Sequence, residues 1–228
     1  MPIFRPLIGP EISLAHMLHN SNDIEDSVVP LEFRNDLSGK SLKSLRKGQW
    51  LTDEVINAYL RLIQNAFPRV FVFNSFFWQK VTQSGRGYDY AGVANWARKK
   101  KASLFDSEIA LIPLHVQETH WALAVIDFRD NSIGYYDSIK DNPTPTIFQS
   151  ALTKYLTDQA KTEGRPTRKW KVHKPDGLPQ QANENDCGVF MSLTAVYLAN
   201  NQPPQLSTRR ERVEMRRRML VQLCKGCL

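Results

Sequence analysis

Three side chains in the second half of this 228-residue chain have the types that nucleophilic catalysis needs: His120, Asp137 and Cys187. Cys187 follows the tetrapeptide NEND and opens an apolar stretch that reads as a helix through Val189, Phe190, Leu193, Val196 and Tyr197. A thiol at a helix N-terminus meets unpaired N–H groups and the positive end of the helix dipole, a setting that brings thiol pKa values from about 8.5 into the range of roughly 3.5 to 7.5. The same N–H groups can hold a developing oxyanion. His120, one of five histidines, directly precedes the apolar run WALAVIDF (121–128), and Asp137 ends the next run, IGYYD (133–137). Folding the chain back at 129–132 brings both to one edge of a sheet, where a carboxylate orients an imidazole and stabilises its charged form. Taken singly, each residue has a commoner explanation: an inert buried thiol, a histidine that merely ends a strand, an aspartate that starts a turn. The order His, Asp, Cys with all three at element ends favours catalysis.

The elements that must position these residues follow from periodicity. Residues 1–47 mix Pro, Gly and Asn and read as an irregular lead-in wrapping the core, with a short helix over 11–19. Thr52 is a capping residue, Asp53 and Glu54 suit the positive end of a helix, and Val55, Tyr59, Leu62 and Ile63 share one face, which predicts a helix over 52–65. The runs RVFVFN (69–74), EIALIPL (108–114), WALAVIDF and IGYYD have strand composition, and KWKVHK (169–174) is a further candidate. FFWQKVT, residues 88–99 and residues 143–162 favour helix. WALAVIDF is apolar at both alternations, the mark of a strand covered on both faces. The class is α+β with a central sheet in a single domain over 1–228.

Composition narrows the function. Hydrophobic residues are 42 %, aromatic 10 % and charged 23 %, a balance that folds. No apolar run reaches the roughly 18 residues of a membrane span, and the first residues lack a signal-peptide pattern, so neither secretion nor embedding is expected. Three cysteines, Cys187, Cys224 and Cys227, suit a reducing compartment, the nucleus or cytoplasm. Cys224 and Cys227 form one CxxC without a second pair, so no metal is expected, and no phosphate-binding glycine loop implies a nucleotide. The formal charge is +7, of which +5 comes from residues 205–228, seven Lys/Arg against two Glu. Val213, Met219, Leu220 and Leu223 recur there at helical spacing, so this segment and the run ARKKKAS (97–103) read as solvated basic surface rather than a nucleic-acid site.

Four segments in order, GQWLTDEVINAYL (48–60), FNSFFW (73–78), ETHWALAVIDFRDNSIGYYDSI (118–139) and LPQQANENDCGVF (178–190), resemble the motifs of the SUMO-specific, or sentrin-specific, proteases of ubiquitin-like modifiers. The resemblance covers about 48–200. It implies a mixed sheet sandwiched by helices, a papain-like cysteine protease fold of the adenain and ubiquitin-like protease type. It implies His120 as general base, Asp137 as its orienting partner, Cys187 as nucleophile and Gln181 as an oxyanion donor. Trp50 and Trp121 match aromatics that close over the modifier's Gly-Gly tail, which a narrow indole-lined passage selects because it has no side chains. Asp53 matches an acidic residue that pairs with an arginine of the modifier. Glu184 departs from the pattern, standing where many relatives have Gly; if that position needs positive φ, Glu is strained.

The implied reaction is hydrolysis after a C-terminal Gly-Gly of SUMO, by a monomer that needs no cofactor and meets the modifier and its conjugates. The alternatives are a protease for a Nedd/Rub-type modifier or ubiquitin, including a microbial effector, a YopJ-type acetyltransferase, and a non-catalytic binder.

Overall fold

The computed structural model describes residues 5–97, 103–205 and 209–228. They fall into two compact units, Met1–Pro68 with Pro179–Leu228, and Arg69–Leu178.

The second unit carries the sheet. Its strands are β1 (Val70–Val72), β2 (Ile109–Val116), β3 (His120–Asp127), β4 (Ser132–Tyr136) and β5 (Lys171–His173), in that spatial order. β2, β3 and β4 run antiparallel in sequence, while β1 joins β2 and β5 joins β4 in parallel, so the sheet is mixed. One set of alternating residues, including Phe71, Ile112, Ala124 and Ile133, packs with Phe77 of helix α4 (Phe76–Val81) and with Phe148, Leu152 and Tyr155 of helix α5 (Phe148–Thr162). The opposite alternation, including Leu111, Leu123 and Val125, is buried as well, as the two-sided apolarity of β3 predicts.

Two helix expectations need correction. Helix α5 starts at Phe148 rather than near 143, because Pro143 and Pro145 push the residues before them out of the helical region. The expected helix over 88–99 is absent from 88–97, and the remainder lies outside the described residues. Turn bonds replace it: Val93 N–H donates to Tyr90 O and Trp96 N–H to Val93 O, each at 2.9 Å, while Asp89 Oδ1 accepts from Gly92 N–H. Tyr88 and Tyr90 reach α5 through their hydroxyls, to Asp158 at 2.8 Å and Gln159 at 3.0 Å. Those tertiary bonds outweigh a weak helical preference.

The first unit is helical: α1 (Gly9–Asn20), the single turn α2 (Gly39–Leu42), α3 (Asp53–Ala66), α6 (Cys187–Ala199) and α7 (Arg209–Lys225). Val55, Tyr59, Leu62 and Ile63 of α3 are all buried, as their spacing predicts. Met215, Met219, Leu220, Val221 and Leu223 of α7 are buried, while Val213 is half-buried. Its basic face is not wholly solvated, contrary to the sequence reading: Arg216 and Arg218 are buried too. No helix among the described residues is long and apolar enough to cross a membrane. Of the run 97–103, only Ala97 and Ser103 are described.

Candidate active site

Hairpin geometry sets His120 and Asp137. Between β2 and β3, Gln117 and Glu118 both take positive φ, 50° and 60°, and Thr119 N–H donates to Val116 O at 3.2 Å. Positive φ at both central residues matches the twist of a tight hairpin. It pairs Val116 with His120 and makes the histidine the first residue of β3. Asp137 directly follows β4, whose Tyr136 pairs with Leu123. His120 Nε2 therefore lies 2.8 Å from Asp137 Oδ1.

The buried carboxylate also accepts hydrogen bonds from its own neighbours in sequence. Ile139 N–H donates to Oδ1 at 2.9 Å; Tyr135 hydroxyl, at 3.0 Å, and Asn142 Nδ2, at 2.8 Å, donate to Oδ2. Burial alone pushes the Asp137 carboxyl up, but the bond from His120, the Ile139 N–H, the attraction of the imidazole and the Asn142 amide together hold it below the ordinary carboxylate range. Burial, reinforced by the neighbouring carboxylate, pushes the Tyr135 phenol up, which keeps it a donor. An ionised carboxylate only accepts, so Nε2 must carry a proton, and Nδ1 becomes the nitrogen that exchanges a proton with a nucleophile. Trp121, buried, stacks on His115 across the β2–β3 pair, with ring centroids 4.2 Å apart and planes 10° from parallel.

In the other unit, Cys187 is the first residue of α6 and only 2 % exposed. Asp186 occupies the capping position but makes no side-chain cap bond. Its carboxylate turns instead to Arg216 and to Asn183 Nδ2, the latter at 2.7 Å. The α6 N-terminus thus lacks the usual side-chain acceptor, which favours an oxyanion there. Asn183 Oδ1 accepts from the N–H groups of Asn185 and Asp186, each at 3.0 Å, shaping the turn before the cysteine. Gln181 Nε2 donates to Asn183 O at 2.6 Å, which orients the amide. Glu184 is not among the residues of positive φ, so the feared strain does not arise.

Gly188 has a steric reason. A Cβ there would lie 3.0 Å from Leu51 Cβ, tighter than ordinary packing. Trp50, the residue before Leu51, is 52 % exposed and so is not plain core. Asp53 is the half-buried first residue of α3, where Thr52 Oγ1 accepts from Val55 N–H at 3.4 Å. Among the described residues no three His, Cys, Asp or Glu side chains gather as metal ligands.

Sequence reasoning missed Tyr135 and Asn142, which satisfy the second oxygen of Asp137, and Arg216 and Arg212, which hold Asp186. Proximity in sequence to Asp137 was a signal for the first two. The arginines, at least 26 residues from Asp186, gave none.

Residues 49–225 match the Ulp1 protease family, C-terminal catalytic domain. The chain belongs to that family. It is 35 % identical over 201 residues to a putative ubiquitin-like-specific protease 1B of Arabidopsis thaliana, covering 82 % of this chain and 58 % of that one. Against human sentrin-specific protease 2 it is 32 % identical over 189 residues, 78 % of this chain and 31 % of that one. The chain therefore spans less than two thirds of the length of these relatives. A solved SUMO protease Ulp1 whose catalytic cysteine is oxidised to a sulfonic acid shares the fold, with a TM-score of 0.86, 24 % identity and 98 % of each chain covered. The Ulp1 domain solved in complex with Smt3, the yeast ortholog of SUMO, gives a TM-score of 0.82 at 23 % identity over 97 % of each chain. The expected α+β class with a mixed sheet holds.

Proposed function

We propose that this chain is a cysteine protease that cuts after the C-terminal Gly-Gly of SUMO, maturing precursors, releasing SUMO from lysines, or both. The observation that carries the reading is the 2.8 Å bond between His120 and a fully buried Asp137 in a member of the Ulp1 family. In this reading residues 1–228 act as one catalytic domain, which the family match supports by running from 49 to 225.

Cys187 Sγ gives its proton to His120 Nδ1, while Asp137 holds the ring through Nε2 and stabilises the imidazolium. The thiolate attacks the glycine carbonyl carbon, and the Cys187 N–H and the Gln181 amide donate to the oxyanion. Collapse breaks the C–N bond, His120 protonates the departing amine, and a thioester remains. Water, deprotonated by His120, then releases the carboxylate and the thiol. Trp50 and Trp121 flank the glycines, and Asp53 meets a basic residue of the modifier. The Smt3 complex of a fold relative and the names of the sequence relatives support SUMO as the modifier. The nucleus or cytosol is the proposed location, since Cys187, Cys224 and Cys227 are all free thiols.

SUMO bearing a C-terminal vinyl sulfone tests the reading. A covalent adduct is expected with the native protein and none with Cys187→Ala, with Nedd-type and ubiquitin probes captured more slowly. Preferential capture of either of those would replace the modifier. No adduct with any of the three by folded protein would remove the protease assignment, and acetyl-CoA-dependent labelling would replace it with acyl transfer.

A further inference from the structure

The loop that ends at Cys187 has little packing behind one side. A cavity of about 380 Å³ lies there, lined by residues that include Lys47, Gly48, Asn183, Asn185, Arg212 and Val213. What ties the loop down is the guanidinium of Arg216, 3 % exposed on α7. Its Nε and Nη2 donate to Asp186 Oδ1 at 3.0 and 2.8 Å, and Nη2 also to Asn185 O at 2.7 Å and Gln49 O at 2.9 Å. Nη1 donates to the carbonyls of Ser44 and Arg46, each at 3.1 Å. Arg212 Nε approaches Asp186 Oδ2 at 3.3 Å, an ion pair without hydrogen-bond alignment.

These acceptors border functional positions. Asn185 and Asp186 lead into Cys187, and Gln49 leads into Trp50, whose other neighbour, Leu51, packs at the Gly188 position. We propose that Arg216 is a positioning residue for the reaction: its planar fork joins the segment ending at Cys187 and the segment carrying Trp50 into one rigid piece. The proposal rests on the reading of Cys187 as nucleophile and Trp50 as part of the tail site.

The chemistry requires both the shape and the charge of arginine. Only a guanidinium offers five N–H donors in a fixed plane; a lysine ammonium cannot reach several carbonyls together. The charge matters because Asp186 is a buried anion one residue before Cys187, and a buried carboxylate held in place needs a cationic partner. Drawing the Asp186 carboxylate away from the α6 N–H groups also leaves that helix end to the oxyanion rather than to its own cap.

The test is alkylation of Cys187 by iodoacetamide across pH, read at the Cys187 peptide by mass spectrometry. Site resolution is needed because Cys227 is exposed. Burial pushes the Cys224 thiol up to about 11, which keeps it slow. Arg216→Gln is expected to raise the pH midpoint of alkylation by about one unit, and Asp186→Asn to lower it. Arg216→Lys is expected to restore the midpoint, yet to react with SUMO vinyl sulfone about tenfold more slowly than the native chain. Native midpoints in both Arg216→Gln and Asp186→Asn overturn the proposal; if Arg216→Gln does not fold, the Asp186→Asn midpoint decides it alone. Alkylation needs no modifier, so failure of the native protein to capture any probe would remove the protease reading without deciding this one.

Discussion

Replacing Asp137 by Asn keeps the size of the side chain and reverses part of its hydrogen-bonding logic. The carboxylate accepts from His120 Nε2 and Ile139 N–H on one oxygen and from Tyr135 and Asn142 on the other. An amide has one oxygen and one NH₂. If its oxygen faces His120, the NH₂ meets the Asn142 amide donor; Tyr135 can rotate its hydroxyl to accept, Asn142 Nδ2 cannot. If the NH₂ faces His120, Nε2 must lose its proton and the proton moves to Nδ1, the nitrogen that has to act as base. The second arrangement yields the wrong tautomer, the situation in which the Asp-to-Asn change of a serine protease triad lowers kcat by about 10⁴. Both arrangements also remove a charge-assisted bond, costing about 1.5 to 3 kcal/mol of stability. The pH dependence follows from the sign of the shift: Asp137 is held below the ordinary carboxylate range in the folded state. Its stabilisation is therefore complete above that range and is lost as pH falls through the folded-state value. Single-turnover cleavage of a fluorogenic SUMO substrate should show kcat falling by about 10² to 10⁴ with KM little changed. Thermal melts of native and Asp137→Asn protein should differ at pH 7 and converge in acid. A native kcat in the variant, or a melting difference that grows in acid, would refute the orienting role.

Gly188→Ala places a methyl 3.0 Å from Leu51 Cβ, and melting should show a loss of about 1 to 3 kcal/mol together with slower vinyl sulfone capture. Gln181→Ala removes an oxyanion donor and should lower kcat by about 10² to 10³ with a smaller change in KM, measured on a fluorogenic SUMO substrate. Trp50→Ala changes a side chain that is 52 % exposed, so unfolding free energy should stay within about 0.5 kcal/mol of native while KM rises. Tyr59→Phe deletes the buried bond of 3.0 Å to Gln222 Oε1, and denaturant unfolding should report a loss of about 1 to 3 kcal/mol with activity retained.

How much of this was legible depended on the range of the forces involved. The meeting of His120 and Asp137 could be read because hairpin register turns strand ends into neighbours, and the two apolar runs announce both strands. The onset of α6 at Cys187 followed from where apolar residues begin after NEND. Residues 88–97 were misread because nothing local shows that the hydroxyls of Tyr88 and Tyr90 are held by Asp158 and Gln159, some seventy residues on. Arg216 was illegible for the same reason, its acceptors lying as far as 172 positions away. A run such as RRERVEMRRR looks alike whether its arginines face water or an aspartate.

That ambiguity bears on what the basic helix is for. Residues 205–228 carry +5 of the total charge, which taken alone suggests an electrostatic handle for an acidic partner. In the folded protein Arg216 is sequestered on Asp186, Arg212 lies 11 % exposed beside it, and burial lowers the pKa of Arg218. Desolvating an arginine and an aspartate costs several kcal/mol per ion, and their attraction seldom returns more than that, so a buried pair is a poor means of adding stability. What such a pair does supply is direction, since a guanidinium with several fixed acceptors tolerates one placement of them. A pair of this kind one residue before the thiol at 187 is better explained by the need to aim that thiol than by the need to hold the helices together.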